Sequence, residues 1–212
     1  MWNLHKIRFI FPAWCVALLC ISTLSCSLTD DKGKWEEFEG ECSLPLLNEI
    51  KTEDFSPEEE KAFRAVDDLF AWYVGEGSKG RLPSSLEVFP RMEAIVDKGP
   101  VSVKPLLEIV RMGNRHSVEQ IRELHETSYY SMAALMLGRL KATEAVNDLM
   151  LMATRRGFRE WQLRAPAIKA LGEIGDPHAI PIIEKATEDH HESVREAAKE
   201  AIERFRSSEQ TL

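Results

Sequence analysis

From about residue 103 onward the chain repeats itself, and the period of that repeat limits the fold more than any other feature. Val103-Lys104-Pro105-Leu106-Leu107, Ala145-Val146-Asn147-Asp148-Leu149 and Ala179-Ile180-Pro181-Ile182-Ile183 superpose position for position. The offsets are 42 residues (105 to 147) and 34 residues (147 to 181). Upstream of the last two, Leu137-Gly138-Arg139-Leu140 matches Leu171-Gly172-Glu173-Ile174, again 34 apart. Periods of this size belong to stacked helical pairs, in which each pair buries its apolar face on the next. No stretch alternates as a strand between hairpin signals, so the expectation is an all-α chain.

Local chemistry places the helices. Ile174-Gly175-Asp176-Pro177 holds a glycine stop for one helix, an aspartate N-cap for the next and a proline at its first position. Ser193-Val194-Arg195-Glu196 has the layout of a capping box. Val194, Ala197, Ala198, Ala201, Ile202 and Phe205 then form one apolar stripe, backed by Glu196, Lys199, Glu200, Glu203 and Arg204, which suits a terminal helix shielding the end of a stack.

The run from Leu163 to Pro181, with Arg164, Ala167, Ala170-Leu171-Gly172 and Gly175-Asp176-Pro177, resembles a HEAT-like repeat of the type also found in phycobilisome lyases. The likeness is strong over 163–205 and fair over 130–153, where Tyr130 replaces the arginine and Lys141-Ala142 replaces Gly-Asp. It is weak over 86–112, and 115–127 reads as an insertion. The resemblance implies an α-solenoid of about three helical pairs, with an N-terminal helix and a C-terminal capping helix, that serves as a protein-binding surface or a spacer. It also implies an inter-repeat hydrogen-bonding role for Arg164. Lyase chemistry does not carry over, because no residues here correspond to a bilin site.

The N-terminal part has a different character. Ser56-Pro57-Glu58-Glu59 is a capping box, and Phe63, Val66, Leu69, Phe70 and Tyr73 follow at helical spacing. A helix over 57–74 is therefore expected, stopped by Gly75-Glu76-Gly77-Ser78-Lys79-Gly80. That glycine run lacks the Gly-Lys-Ser/Thr ending of a phosphate loop and reads as a connector. Residues 56–85 thus hold the first helix and its connector, 86–206 the repeat domain and 207–212 a tail. Residues 26–55 are polar and acidic and read as a tether, with Leu44, Leu46, Leu47 and Ile50 as a turn docking on the body.

Residues 1–25 have the layout of a signal peptide: His5, Lys6 and Arg8 precede an apolar run from Phe9 to Ile21. The run is shorter than the roughly 20 residues a spanning helix needs, and Pro12 interrupts it. Ser22-Thr23-Leu24-Ser25-Cys26 resembles the lipobox of bacterial lipoproteins, although Thr23 stands where that family prefers Leu. The resemblance implies lipid attachment at Cys26 and an exported, membrane-anchored protein of the bacterial envelope. Cys42 would then be a lone thiol among acidic neighbours, which keep its reactivity low.

Removing 1–25 takes away Lys6 and Arg8, so the net charge goes from −8 to −8 − 2 = −10 over 212 − 25 = 187 residues. Such a charge opposes nucleic-acid binding, which rests on a positive field. No Ser-His-acid or Cys-His arrangement and no nucleophile elbow is recognisable, so no catalytic residue, metal or cofactor is expected, and the chain reads as a non-enzymatic binding or scaffolding module. An enzyme accessory factor or lyase-like enzyme, and a purely structural spacer, are the alternatives.

Four groups invite sharper readings. Asp189-His190-His191-Glu192 offers four polar ligand types in a row, but adjacent loop residues rarely converge on one ion, and the repeat alignment puts them in a turn. His116 and His125 flank a short helix expected from Ser117 and Gln120 and read as solvated loop. Met132, Met136, Met150 and Met152 read as core. The segment from Thr154 to Arg164 sets four arginines among two aromatics in an acidic protein. Arg155, Arg156, Arg159 and Trp161 are the candidate contacts to a partner protein with an acidic surface. The competing reading makes the arginines helix-end charges and Trp161 an inward-facing residue.

Overall fold

The computed structural model describes residues 26–29, 35–38, 49–116, 127–157 and 160–209. The signal-peptide reading, Cys42, Leu44, Leu46, Leu47, the helix expected from Ser117, His125 and Arg159 lie outside them. Eight α-helices are found among the described residues: α1 (Pro57–Ser78), α2 (Ser85–Val96), α3 (Val103–Arg115), α4 (Thr127–Arg139), α5 (Val146–Ala153), α6 (Trp161–Ile174), α7 (Ile180–Ala186) and α8 (Glu192–Glu209). They make an α-solenoid: α1 opens it, α2/α3, α4/α5 and α6/α7 are three helical pairs, and α8 closes it. The first helix of each pair packs on the first helix of the next, α2 on α4, α4 on α6 and α6 on α8.

The acidic segment departs from the sequence reading. Cys26–Thr29 (β1) pairs antiparallel with Trp35–Phe38 (β2), Cys26 opposite Phe38. Trp35 and Phe38 have the β-favouring side chains that make such pairing accessible, a signal the surrounding acids conceal. Ile50 is buried against the body, as expected of the docking turn.

The Ser56 box forms as the sequence predicts: Ser56 N–H donates to Glu59 Oε2 (2.7 Å) and Glu59 N–H donates to Ser56 Oγ (3.2 Å). Phe63, Val66, Leu69 and Phe70 are buried, and Phe70 meets Tyr129 of α4 at 4.5 Å between ring centres. The helix does not stop at Gly75, however. It continues to Ser78, and Gly80, with φ 74°, turns the chain. Arg81 then bonds Glu76 (2.6 Å) and Glu87 (2.9 Å), tying the end of α1 to the start of α2. Those bonds, with help from the Ser84 N–H, hold the Glu87 carboxyl down to about 2.

Each pair turns in the same way. Gly99, Lys141 and Gly175 take left-handed φ of 74°, 51° and 77°, and their spacings of 42 and 34 residues are those of the sequence repeat. A short 3₁₀ turn starts at Gly99 and, two residues on, after Lys141 and Gly175: Gly99–Ser102, Thr143–Ala145 and Pro177–Ala179. At the third, the Asp176 side chain accepts from His178 N–H, the cap the sequence foretold. The weakly matching stretch over 86–112 is therefore a full structural repeat.

The Leu-Gly motif has a packing cause. A Cβ at Gly138 would lie 2.7 Å from Ala170 Cα, and one at Gly172 would lie 2.5 Å from Ala201 Cβ. Glycine inside a helix costs about 1 kcal/mol relative to alanine. Here it lets α4 meet α6, and α6 meet α8, closer than any side chain would allow.

At α8 the expected capping box does not form. The helix begins at Glu192, and Ser193 N–H donates to His191 Nδ1 (3.2 Å). Glu196 pairs instead with Lys199 (2.9 Å). The apolar stripe holds: Val194, Ala197, Ala198 and Ala201 are buried, and Ile202 and Phe205 pack against the core.

Candidate interaction surface

The arginine-rich loop between α5 and α6 is largely engaged inside the molecule. Arg155 donates to Glu160 Oε1 (2.9 Å), to the Gly113 carbonyl (2.9 Å) and to the His116 carbonyl (3.0 Å). The last two are orphan acceptors at the C-terminal end of α3, so Arg155 caps a helix of the preceding repeat. Its side chain is 12% exposed. This placement corrects the reading of Arg155 as a partner contact.

Arg164, at the end of the first turn of α6, is a clamp. It meets Asp189 through two parallel bonds of 2.8 Å and reaches back to the Gly157 carbonyl (3.2 Å). The inter-repeat role implied for Arg164 is thus observed. Burial would raise the Asp189 carboxyl, but the Arg164 guanidinium and the His191 backbone N–H together bring it below its ordinary value. Tyr130, one repeat earlier at the same position, reaches back in the same sense: its hydroxyl lies 2.9 Å from His116 Nδ1. His116 also contacts Glu49 at 3.3 Å and is largely buried, so it is not the solvated loop residue expected.

Asp189 and His191 are engaged by this same junction. The His191 ring stacks on Trp161 at 3.9 Å and 3° between planes, and the His191 N–H donates to Asp189 Oδ1 (2.8 Å). No group of three or more metal-ligating side chains is found among the described residues. Arg156 is exposed. Trp161 is half-buried, and its free side faces elsewhere than the loop.

That side faces a groove of about 1240 Å³ running across the first helices of the pairs. Each helix contributes one face: Ser85, Val88, Phe89 and Met92 from α2; Ser128, Ser131, Met132, Leu135 and Arg139 from α4; Trp161, Gln162, Ala165, Lys169 and Glu173 from α6; Glu192, Glu196 and Glu200 from α8. The spacing of three and four residues on each helix is what a single helical face presents. Ser131 Oγ donates to the Gln162 carbonyl (2.7 Å), pinning α4 to α6 beneath the groove. Phe89 is half exposed, and Leu82 and Leu86 beside it are more exposed still.

The methionines divide as core residues do: Met136 and Met152 are fully buried, while Met132 is buried yet reaches the groove floor. Sequence reasoning missed the groove because its residues lie on four helices and no contiguous motif marks them. Only the three repeated helix faces, read together, could have found it.

No helix among the described residues is long and apolar enough to cross a membrane. No curated protein and no solved structure matches the chain. The turns of common geometry, the glycine contacts and the arginine clamp are the repeat's own structural signature, and residues 117–203 match the family model for HEAT repeats, modules that generally mediate protein–protein interactions.

Proposed function

We propose that this protein is a non-enzymatic binding module that holds a partner protein in the groove formed by α2, α4, α6 and α8. The observation that carries this reading is the groove itself: large, continuous across three repeats, and with half-exposed Phe89 at its floor and edge. A cleft of this size suits a polypeptide segment, and Phe89 and Trp161 are the aromatic type that dominates interface energetics. The Arg155 and Arg164 networks act as scaffold, keeping successive repeats at the angle that opens the cleft.

The proposed setting is the bacterial envelope, with the chain exported, processed before Cys26 and lipidated there, so that the acidic segment after it spaces the solenoid from the membrane. The lipobox-like Ser22 to Cys26 supports this part. Intact mass of the mature protein should show a diacylated Cys26 at the N-terminus, and Cys26→Ala should abolish it. An unmodified N-terminus at another residue contradicts the anchoring.

Binding is tested by a photo-crosslinking side chain placed at Lys169, inside the groove, and separately at Leu151, exposed on α5 away from it. A discrete adduct from position 169 and none from 151 is expected. Adducts from 151 alone, or from neither, defeat the groove as a binding surface.

A further inference from the structure

The groove is not chemically uniform, and its asymmetry specifies an occupant. On the α2–α4 side its lining is mainly apolar, with Phe89, Met132 and Leu135 beside three serines, and the charges there, Glu93 and Arg139, close on each other at 2.8 Å. On the α6–α8 side Glu173, Glu192, Glu196 and Glu200 line the cleft, where Lys169 is the lining cation and Lys199, beside it on α8, pairs with Glu196 at 2.9 Å. Glu192, Glu196 and Glu200 recur every four residues and are exposed, so they form one row along α8.

We propose that the groove takes an extended segment of a partner protein whose leading part is apolar and whose trailing part carries a cluster of Lys or Arg. This rests on the reading of the groove as the binding surface and deepens it by naming the partner's charge. Packed helices lie about 8–10 Å apart, so the path from α2 to α8 is roughly 24–30 Å. An extended chain covers that distance in about seven to nine residues at roughly 3.3 Å each. Such a segment seats aromatic or aliphatic side chains beside Phe89 and brings its cations over the α8 row, where opposite charge speeds encounter and rejects acidic competitors. A second copy of this chain is disfavoured as occupant, because a molecule of net charge −8 meets an acidic cleft. The acidic-surfaced partner expected from the arginine loop is disfavoured for the same reason.

Fluorescence anisotropy with the full chain decides it, using three short labelled peptides. The first has a Leu/Phe half followed by a Lys-rich half, the second replaces every Lys by Glu, and the third replaces the apolar residues by Ser. The Lys peptide should bind at least tenfold more tightly than the Glu peptide, and less tightly as salt rises. The combined Glu192→Lys, Glu196→Lys and Glu200→Lys variant should invert that preference, all three positions being on the exposed face of α8. Phe89→Ser should weaken the Lys peptide severalfold and leave its salt dependence unchanged, and the Ser peptide should be weakened to the same degree. Equal binding of the Lys and Glu peptides, no binding of any peptide, or an unchanged preference in the triple variant overturns the proposal. Self-association of the chain with no peptide binding assigns the groove to a second copy and also overturns it. The crosslink from position 169 separates the two readings: an adduct without a charge preference leaves the groove a binding surface with a different partner, whereas no adduct removes both.

Discussion

The α5–α6 loop and the groove are both rich in charge and aromatic side chains, yet they use them in opposite ways. Arg155 in the loop and Arg164 at the start of α6 point into the stack and bond carbonyls and carboxylates of neighbouring repeats. In the groove, Glu192 and Glu200 stand exposed on one helix face and Phe89 is half open to solvent. The difference teaches that a cluster of arginines in an acidic repeat protein identifies the joints of the scaffold. The binding capacity proposed for the groove lies on helix faces, where the sequence is least conspicuous.

The strongest way to break this comparison is Arg164→Ala. It leaves Asp189 with little solvent and no cationic partner, and removal of one member of a buried pair typically costs about 3 kcal/mol or more. Because Arg164 and Asp189 retain some exposure, a loss of about 2–3 kcal/mol is expected in denaturant unfolding; a loss under about 0.5 kcal/mol would make the pair an ornament of the surface. The same pair sets a pH dependence. The Asp189 carboxyl is held below its ordinary value in the folded state, so its stabilisation is full above the ordinary carboxylate range and is lost as pH falls through the lower folded value. The stability gap between the parent and Asp189→Asn should accordingly be constant near neutrality and close in acid.

Gly172→Ala tests the floor beneath the groove. The new methyl would lie 2.5 Å from Ala201 Cβ, so α6 and α8 must separate, and overpacking of this kind costs about 1–3 kcal/mol. Thermal melting should fall, and peptide binding in the groove should weaken with it. Smaller and opposite in sign, Lys141→Gly should stabilise the chain by about 1 kcal/mol, since a left-handed residue with a side chain is strained by that order. No stabilisation would mean that the Lys141 side chain compensates its backbone. Arg156→Glu should have the smallest effect, within about 0.5 kcal/mol in the same melt, because the side chain is exposed.

Much of the fold was legible because repeat spacing and turn chemistry are local or periodic signals. Gly175 announced a left-handed turn, and its partners one and two repeats back share it. Lys141 concealed the same turn, since no residue preference points to a left-handed lysine. Ser193 misled because a capping box is a pattern of four residues, whereas the cap used, His191, is fixed by a stack on Trp161 thirty residues away. Arg155 misled for a similar reason: its acceptors, the Gly113 and His116 carbonyls, are 42 and 39 residues distant. Charge content is visible in a sequence, but the direction a side chain takes depends on which carbonyls the fold leaves unpaired. The groove was illegible because it exists only after four helices are set side by side.

The central claim, that the loop builds the scaffold and the groove binds, is tested most directly by reversing charge in each region and measuring the yield of the adduct formed from position 169. Arg156→Glu with Arg159→Glu should leave the yield unchanged. Glu192→Lys with Glu196→Lys and Glu200→Lys should reduce it at least tenfold while the melting temperature stays near that of the parent. The opposite pattern, a yield lost with the loop arginines and kept with the α8 glutamates reversed, would contradict the account.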